Sequence, residues 1–407
     1  MLRSLSPLWR DPVLRLVVLV LFLSGAQISS MAPYLSFIAI SRLGFSDQSY
    51  SFILIISSLV GLGSAVGFGI LTDQRPLRRQ MALLSSALVI AGAAVMWLWP
   101  GKPGFIVSHM LLLPSGFTIF VLVFALSSLA SQAYPQSRDV LLAAVRAGFA
   151  LPFVVVLPLW AVALNSGADV MAIYPFGTII ALISFVLIWR LWPKDRAQNW
   201  HDAKSGISIL QSLSEMTNPQ VLLRVILLGA VASGVTLYIA LIGLVFTQTP
   251  GRDTSDAALF VGLVAGAEVP FMLAVPQLLG RIPKVTLIAL GTALYAVHLV
   301  TLPWIAGSGL VWLLILPASL GGAIILTLPI AYLQDLLADR PGAGSSLISV
   351  QRVAGDTLCA AAFALGSYAS GYAFAAALGA SVSLIGAVGL VLADRSKAVL
   401  RTRGLSD

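Results

Sequence analysis

The sequence predicts an all-α membrane protein of twelve transmembrane helices in two pseudo-symmetric six-helix bundles. Three observations lead there. Of the 407 residues, 58% are hydrophobic and 10% charged, against about 25% charged in a soluble domain, and the mean hydropathy is +0.97. Apolar runs of about 20 residues, long enough to cross a bilayer's hydrocarbon core, recur near 14–40, 50–71, 81–99, 104–129, 140–164, 169–192, 220–247, 257–280, 285–305, 308–333, 343–370 and 374–394. Segments of the first half also recur in the second: "RQMALLSSAL" (79–88) aligns with "VTLIALGTAL" (285–294), and the same offset of 206 carries Arg146 onto Arg352.

The first run follows Arg3, Arg10 and Arg15. It exceeds the roughly 7–15 residues of a signal-peptide core and has no small-residue cleavage site after it, so it reads as a retained span. "DPVLRLVV" (11–18) opens it, and "NPQVLLRVI" (218–226) opens the seventh. Each sets Asp or Asn as helix cap before a proline in the first turn, where the missing N–H is harmless. Spans 2, 11 and 12 are crowded with glycine and alanine, as in "GLGSAVGFG", and small residues let helices approach closely. Span 5 carries Arg146. Span 8 carries Glu268 and Pro270 in "GAEVPFMLAV", and span 11 carries Arg352 and Asp356. The polar stretch 193–219 divides the chain into an N-terminal bundle (1–192) and a C-terminal bundle with a short tail (220–407). Its "ISILQSLSEM" reads as a helix lying on the membrane surface.

With the N-terminus in the cytoplasm, 19 Lys and Arg fall on the inner side and only Arg42, Lys102 and Arg252 outside. That bias places both termini in the cytoplasm. Trp97, Trp99, Trp160, Trp304 and Trp312 are expected at outer ends of spans, and Trp189 and Trp192 at an inner end, as interfacial belts. The basic charges are scattered in short clusters, which argues against a nucleic-acid partner. The single cysteine, Cys359, excludes a disulfide framework. No H-E-x-x-H metal spacing or G-x-x-x-x-G-K-[ST] phosphate loop occurs. No cofactor is expected, and an enzyme is the reading least supported.

Between spans 2 and 3, "GILTDQRPLRRQ" sets Gly69, Asp73, Arg75, Arg78 and Arg79 in the pattern Gly, three residues, Asp, basic cluster. With the twelve spans and the long middle loop, this resembles the major facilitator superfamily. Departures are Gln74 and Pro76 inside the motif, and the cognate loop "GRIPK", which lacks the acid. Within the superfamily, "GAEVPFML", "VRAGFALPFVV" and "QDLLADRPGAGSSL" resemble the bacterial sugar efflux transporters. The resemblance implies a monomeric secondary transporter of the bacterial inner membrane. Its partners would be a small polar solute, sugar foremost, together with protons and lipids.

Four residues ionised at neutral pH lie well inside spans: Arg146, Glu268, Arg352 and Asp356. Each costs about 2.5–3.5 kcal/mol at a helix centre, so each should pair, face water or be neutralised. Arg352 and Asp356, four apart, share a helix face. In the fold the sequence resembles, spans 5 and 8 pack together, as do 2 and 11, so Arg146 and Glu268 are expected to meet between the halves. Burial disfavours a charged carboxyl, which makes Glu268 a candidate proton carrier. Pro270 is expected to share its wet interior face. The alternative is a static tie between halves. Spans 1, 4, 7 and 10 line the path in that fold, so Gln27, Ser30, Tyr34, Thr118, Ser233, Thr236 and Tyr238 are candidate solute ligands. Their uncharged donors and rings suit a polyhydroxyl solute, and ordinary helix–helix hydrogen bonding is the competing explanation. His109 is expected near headgroups and His298 on a peripheral span, both structural. Two other functions stay open: antiport of amphipathic drugs, and a membrane sensor that moves nothing.

Overall fold

The computed structural model describes residues 6–74, 77–193, 218–279, 281–336 and 341–402. Among them every regular element is a helix. The expected surface helix at 207–216 lies outside the described residues. After a short turn of helix at Ser6–Arg10, α1 runs Pro12–Met31 and its span continues through tighter and wider turns to Arg42. Then come α2 (Asp47–Gln74), α3 (Arg78–Leu98), α4 (Lys102–Ala133), α5 (Arg138–Asn165) and α6 (Ile173–Leu191). The second series is α7 (Pro219–Gln248), α8 (Thr254–Leu278), α9 (Lys284–Ile305), α10 (Ile315–Leu336), α11 (Pro341–Ser370) and α12 (Tyr372–Thr402).

Among the described residues, eleven helices are long and apolar enough to cross a membrane. The twelfth, α11, is 30 residues long but carries Gln351, Arg352 and Asp356 in its middle third, which lowers its apolar content. Local chemistry sets the starts of the two series. Asp11 Oδ1 accepts from the backbone N–H of Val13 at 2.8 Å and of Leu14 at 3.2 Å. Asn218 Oδ1 accepts from Gln220 N–H at 2.9 Å. Each cap satisfies N–H groups that have no carbonyl partner in the first turn. In α4 the winding widens over Ile106–Leu112, just before Pro114, which has no N–H to give the preceding turn.

The chain divides into two compact units. The first is Met1–Phe45, Leu59–Lys204 and Thr254–Gly262; the second is Ser46–Ser58, Ser205–Asp253 and Leu263–Asp407. In the first, α1 packs on α5 and α6, and α3 on α4 and α6. In the second, α7 packs on α11 and α12, and α9 on α10 and α12. Advancing each helix by six turns one pattern into the other, as the repeat in sequence anticipates.

Two helices contribute to both units. The start of α8 belongs to the first, where Gly262 lies against Leu157 and Pro158 of α5. The start of α2 belongs to the second, where the ring of Tyr50 meets Phe363 of α11 at 5.9 Å. There Asp47 also accepts from the Tyr372 hydroxyl at 3.2 Å.

The repeat reaches single residues. In the first unit a Cβ on Gly116 would stand 3.0 Å from the carbonyl oxygen of Ser85. In the second, a Cβ on Gly321 would stand 2.6 Å from that of Gly291, the residue 206 beyond Ser85. Only glycine lets those backbones approach so closely. The glycines of α2 behave differently: Gly63, Gly67 and Gly69 have nothing within 4 Å of an added Cβ.

The tryptophan belts are only partly as expected. Trp97, Trp99, Trp189 and Trp304 are exposed, but Trp160 and Trp192 are buried. Trp160 packs edge-on against Phe176 of α6 at 5.4 Å, and Trp192 joins the core around Leu14, Leu141 and Ile188. Position near a span's end fixes depth but not which way the side chain faces.

Gly321→Ala should lower the melting temperature of the purified protein in detergent, because backbone must move to admit the methyl group, at about 1–3 kcal/mol. Gly63→Ala, with open space and better helix propensity, should leave it unchanged or slightly higher. Equal melting curves for the two variants would contradict the close-approach reading.

Candidate functional site

The polar side chains of the second unit form three groups. In the first, Glu268 projects from α8 onto the bare backbone of Gly322 in α10; a Cβ there would collide with Glu268 Oε1 and stand 3.5 Å from Tyr295 Cε2. Tyr295 of α9 belongs to an aromatic triad with Tyr238 of α7 and His298 of α9. The ring centroids lie 6.2 Å (Tyr238–Tyr295), 4.9 Å (Tyr238–His298) and 5.4 Å (Tyr295–His298) apart, all edge-on. Among the described residues no hydrogen bond or salt bridge reaches the Glu268 carboxyl.

The second group surrounds Asp356 of α11. Its Oδ2 accepts from Ser58 Oγ of α2 at 2.7 Å, and its Oδ1 lies 3.5 Å from Thr236 Oγ1 of α7. Arg352 Nε stands 3.8 Å from Asp356 Oδ2, the pair that the four-residue spacing predicts. The Arg352 side chain is 82% exposed and that of Asp356 21%.

The third group was not legible beforehand. Arg224, expected as one more cytoplasmic charge, is only 5% exposed. Its Nε donates to the Tyr332 hydroxyl of α10 at 3.1 Å, Nη1 to Gln220 O at 3.0 Å and Nη2 to Ala393 O of α12 at 2.9 Å. Tyr332 donates in turn to Asp394 Oδ1 at 3.1 Å. A buried guanidinium with its three nitrogens engaged ties α7, α10 and α12 at one end.

The candidate solute ligands separate by what their polar atoms do. Ser30 donates to Ala26 O at 2.6 Å and Ser233 to Ala230 O at 2.7 Å, both within their own helices. Thr118 donates to Ser115 O and meets Ser85 Oγ at 2.9 Å, joining α4 to α3. Tyr34 is fully buried. Gln27 is buried against Gly177 of α6, and its Nε2 has no hydrogen-bond partner among the described residues. Thr236, through Oγ1, lies 3.5 Å from Asp356 Oδ1.

The loop between α2 and α3 is visible in part. Arg79 Nη2 donates to Trp189 O at 2.6 Å, joining α3 to the end of α6. Gly69 and Arg78 lie on α2 and α3. The side chain of Asp73 and all of Arg75 lie outside the described residues, as does the side chain of Arg146, so the expected Arg146–Glu268 pair is not described either.

Two expectations need correction. Pro270 does not share the face of Glu268: at 100° per residue, two positions place it on the far side of the helix, and Pro270 is exposed within an unbroken α8. His109 does not reach headgroups; it is buried, with Nε2 3.0 Å from the Tyr174 hydroxyl of α6 and its ring 4.4 Å from that of Phe105. His298, expected as structural, is fully buried against Tyr238.

The sequence model of the Major Facilitator Superfamily matches residues 125–358, more than half the chain. The chain belongs to the major facilitator superfamily. A provisionally named sugar efflux transporter of Deinococcus radiodurans is 24% identical to this facilitator over 358 residues, 84% of this chain and 88% of that one. The nucleoside transporter NupG has the same fold, with a TM-score of 0.77 at 12% identity over 94% of this chain and 99% of that one. A D-xylose–proton symporter matches with a TM-score of 0.68 at 15% identity, over 92% and 96%. At such identities the solved structures establish the fold alone. The facilitator is a multi-pass membrane transporter.

Tyr332→Phe should destabilise the facilitator by about 1–3 kcal/mol, since it strips a partner from both Arg224 and Asp394. Thermal unfolding in detergent reads the loss. A melting temperature equal to wild type would show that the Arg224 network is not a structural tie.

Proposed function

We propose that this facilitator exports sugars or similar small polar solutes against an inward flow of protons, by alternating access. The observation that carries the coupling is the Glu268 carboxyl, set on bare backbone beside Tyr295 with no hydrogen bond or ion pair among the described residues. A carboxylate in that setting is costly when dry and cheap when hydrated. An acid that takes up a proton when enclosed and releases it when wetted is what coupling requires. The two moving bodies are residues 1–192 and 220–407, joined by the 193–219 segment, with both termini in the cytoplasm of a bacterial cell.

The sugar reading is supported by the name of the Deinococcus relative and by the uncharged donors Gln27, Thr236 and Tyr238. Export is supported by that relative's name. On this reading Asp73, Arg75, Arg78 and Arg79 form a cytoplasmic clasp that breaks as the transporter opens inward, and Arg146, Arg352 and Asp356 act with Glu268 in gating.

Reconstituted into liposomes loaded with radiolabelled sugars, wild type should release them when a pH gradient is imposed. Glu268→Gln should cut gradient-driven release at least tenfold while exchange at equal pH survives. Undiminished release would remove Glu268 from coupling. Loss of both activities with a collapsed gel-filtration profile would reduce it to packing.

A further inference from the structure

The Arg352–Asp356 pair is close enough to cancel charge and too far apart for either member to satisfy the other. Hydrogen bonds from guanidinium to carboxylate span about 2.7–2.9 Å, and the Nε–Oδ2 distance here is 3.8 Å. A pair that served only to cancel its own cost would close into the two-pronged geometry that arginine and carboxylate favour. This one is held open from behind. Ser58 Oγ holds Asp356 Oδ2 at 2.7 Å, and Thr236 Oγ1 lies near Oδ1. Three helices, α2, α7 and α11, thereby fix the carboxylate's position. A carboxylate offers about four acceptor sites, so the two hydroxyls leave it capacity for more.

Arg352 is the other half. Its side chain is 82% exposed in the middle third of α11. Against acyl chains that exposure would cost about 2.5–3.5 kcal/mol, so the face that carries it is a wet one. Among the described residues its Nη groups meet no acceptor, which leaves their donors turned to whatever occupies that face. The combined charge of the two groups is zero. An ionised solute therefore gains little net attraction from the pair, whereas a neutral molecule with adjacent hydroxyls fits it. One hydroxyl donates to Asp356 and its neighbour accepts from Arg352.

We infer that Arg352 and Asp356, oriented by Ser58 and Thr236, recognise a pair of neighbouring hydroxyls on a neutral polyol. The inference rests on the sugar reading above and names the hydroxyl pair as what is recognised and these side chains as its ligands. It assigns the pair to solute binding, whether or not it also takes part in gating.

The test is exchange at equal pH in liposomes holding the full-length protein, where no coupling is needed. D-glucose, D-galactose, D-xylose and lactose are the neutral probes; glucose 6-phosphate and glucosamine are the charged ones. At least one neutral sugar should exchange, and neither charged analogue should exceed it. Removing one hydroxyl at a time from the best-exchanged sugar should expose two adjacent positions whose loss weakens half-saturation tenfold or more. Arg352→Lys and Asp356→Asn should weaken the parent sugar by a similar factor and abolish its advantage over those two deoxy sugars. A structural pair would not change that discrimination. If a variant fails to reconstitute, the deoxy series on wild type decides alone. Equal exchange of every deoxy sugar, or discrimination unchanged in the variants, overturns the inference and leaves sugar transport standing. Exchange of none of the four sugars, with flux of tetraphenylphosphonium instead, overturns both.

Discussion

A charge in a chain this apolar must find a partner, water or a proton, and the second unit shows three answers to that demand. Arg224 is the most fully partnered of the three: hydroxyl and carbonyl oxygens meet each of its three nitrogens. Asp356 is half partnered, with two hydroxyls behind it and a guanidinium beside it that stands off. Glu268 has no hydrogen-bonding partner among the described residues. The degree of satisfaction sorts the three by the work each is free to do. A guanidinium engaged at each nitrogen ties helices together, and a carboxylate with two hydroxyls behind it keeps further acceptor sites.

The duplicated architecture supplies the frame on which these groups differ. Each unit repeats the same helix neighbours, down to the backbone approach of Ser85 to Gly116 and of Gly291 to Gly321. Such approaches are rigid, since no side chain intervenes to be repacked. They make α3 with α4, and α9 with α10, firm pairs from which other groups can be presented. Gly322 follows directly on one of these contacts. The absence of a side chain at two successive positions lets α10 touch α9 at the first and receive the Glu268 carboxyl at the second.

Much of this was legible before any coordinates. Hydropathy and length gave the helices because a span is a bulk property of about 20 residues. The caps at Asp11 and Asn218 were legible because a cap is local chemistry. The Arg352–Asp356 contact was legible because a four-residue spacing fixes a shared face. What escaped the sequence depends on rotation about a helix axis or on partners far along the chain. Arg224 reads as a cytoplasmic charge until Tyr332 and Asp394, more than a hundred residues away, are seen beside it. Trp160 and Trp192 read as interfacial because sequence shows depth along a span and not direction. Nor does anything local say that the ring of His298 faces Tyr238.

Span 8 shows how two residues that look alike in sequence can serve different surroundings. Glu268 and Pro270 look like one anomaly because both are unusual in an apolar run. Two residues are just over half a turn of helix, so they serve different surroundings. The acid faces α10, where Gly322 makes room for it. The proline faces outward on a helix that runs unbroken from Thr254 to Leu278, and it withholds the N–H that the Gly266 carbonyl would otherwise receive. A weakened ladder on one side of α8 and an unsatisfied acid on the other lie within two turns of each other. Bending at the outer face would therefore shift the carboxyl relative to Gly322.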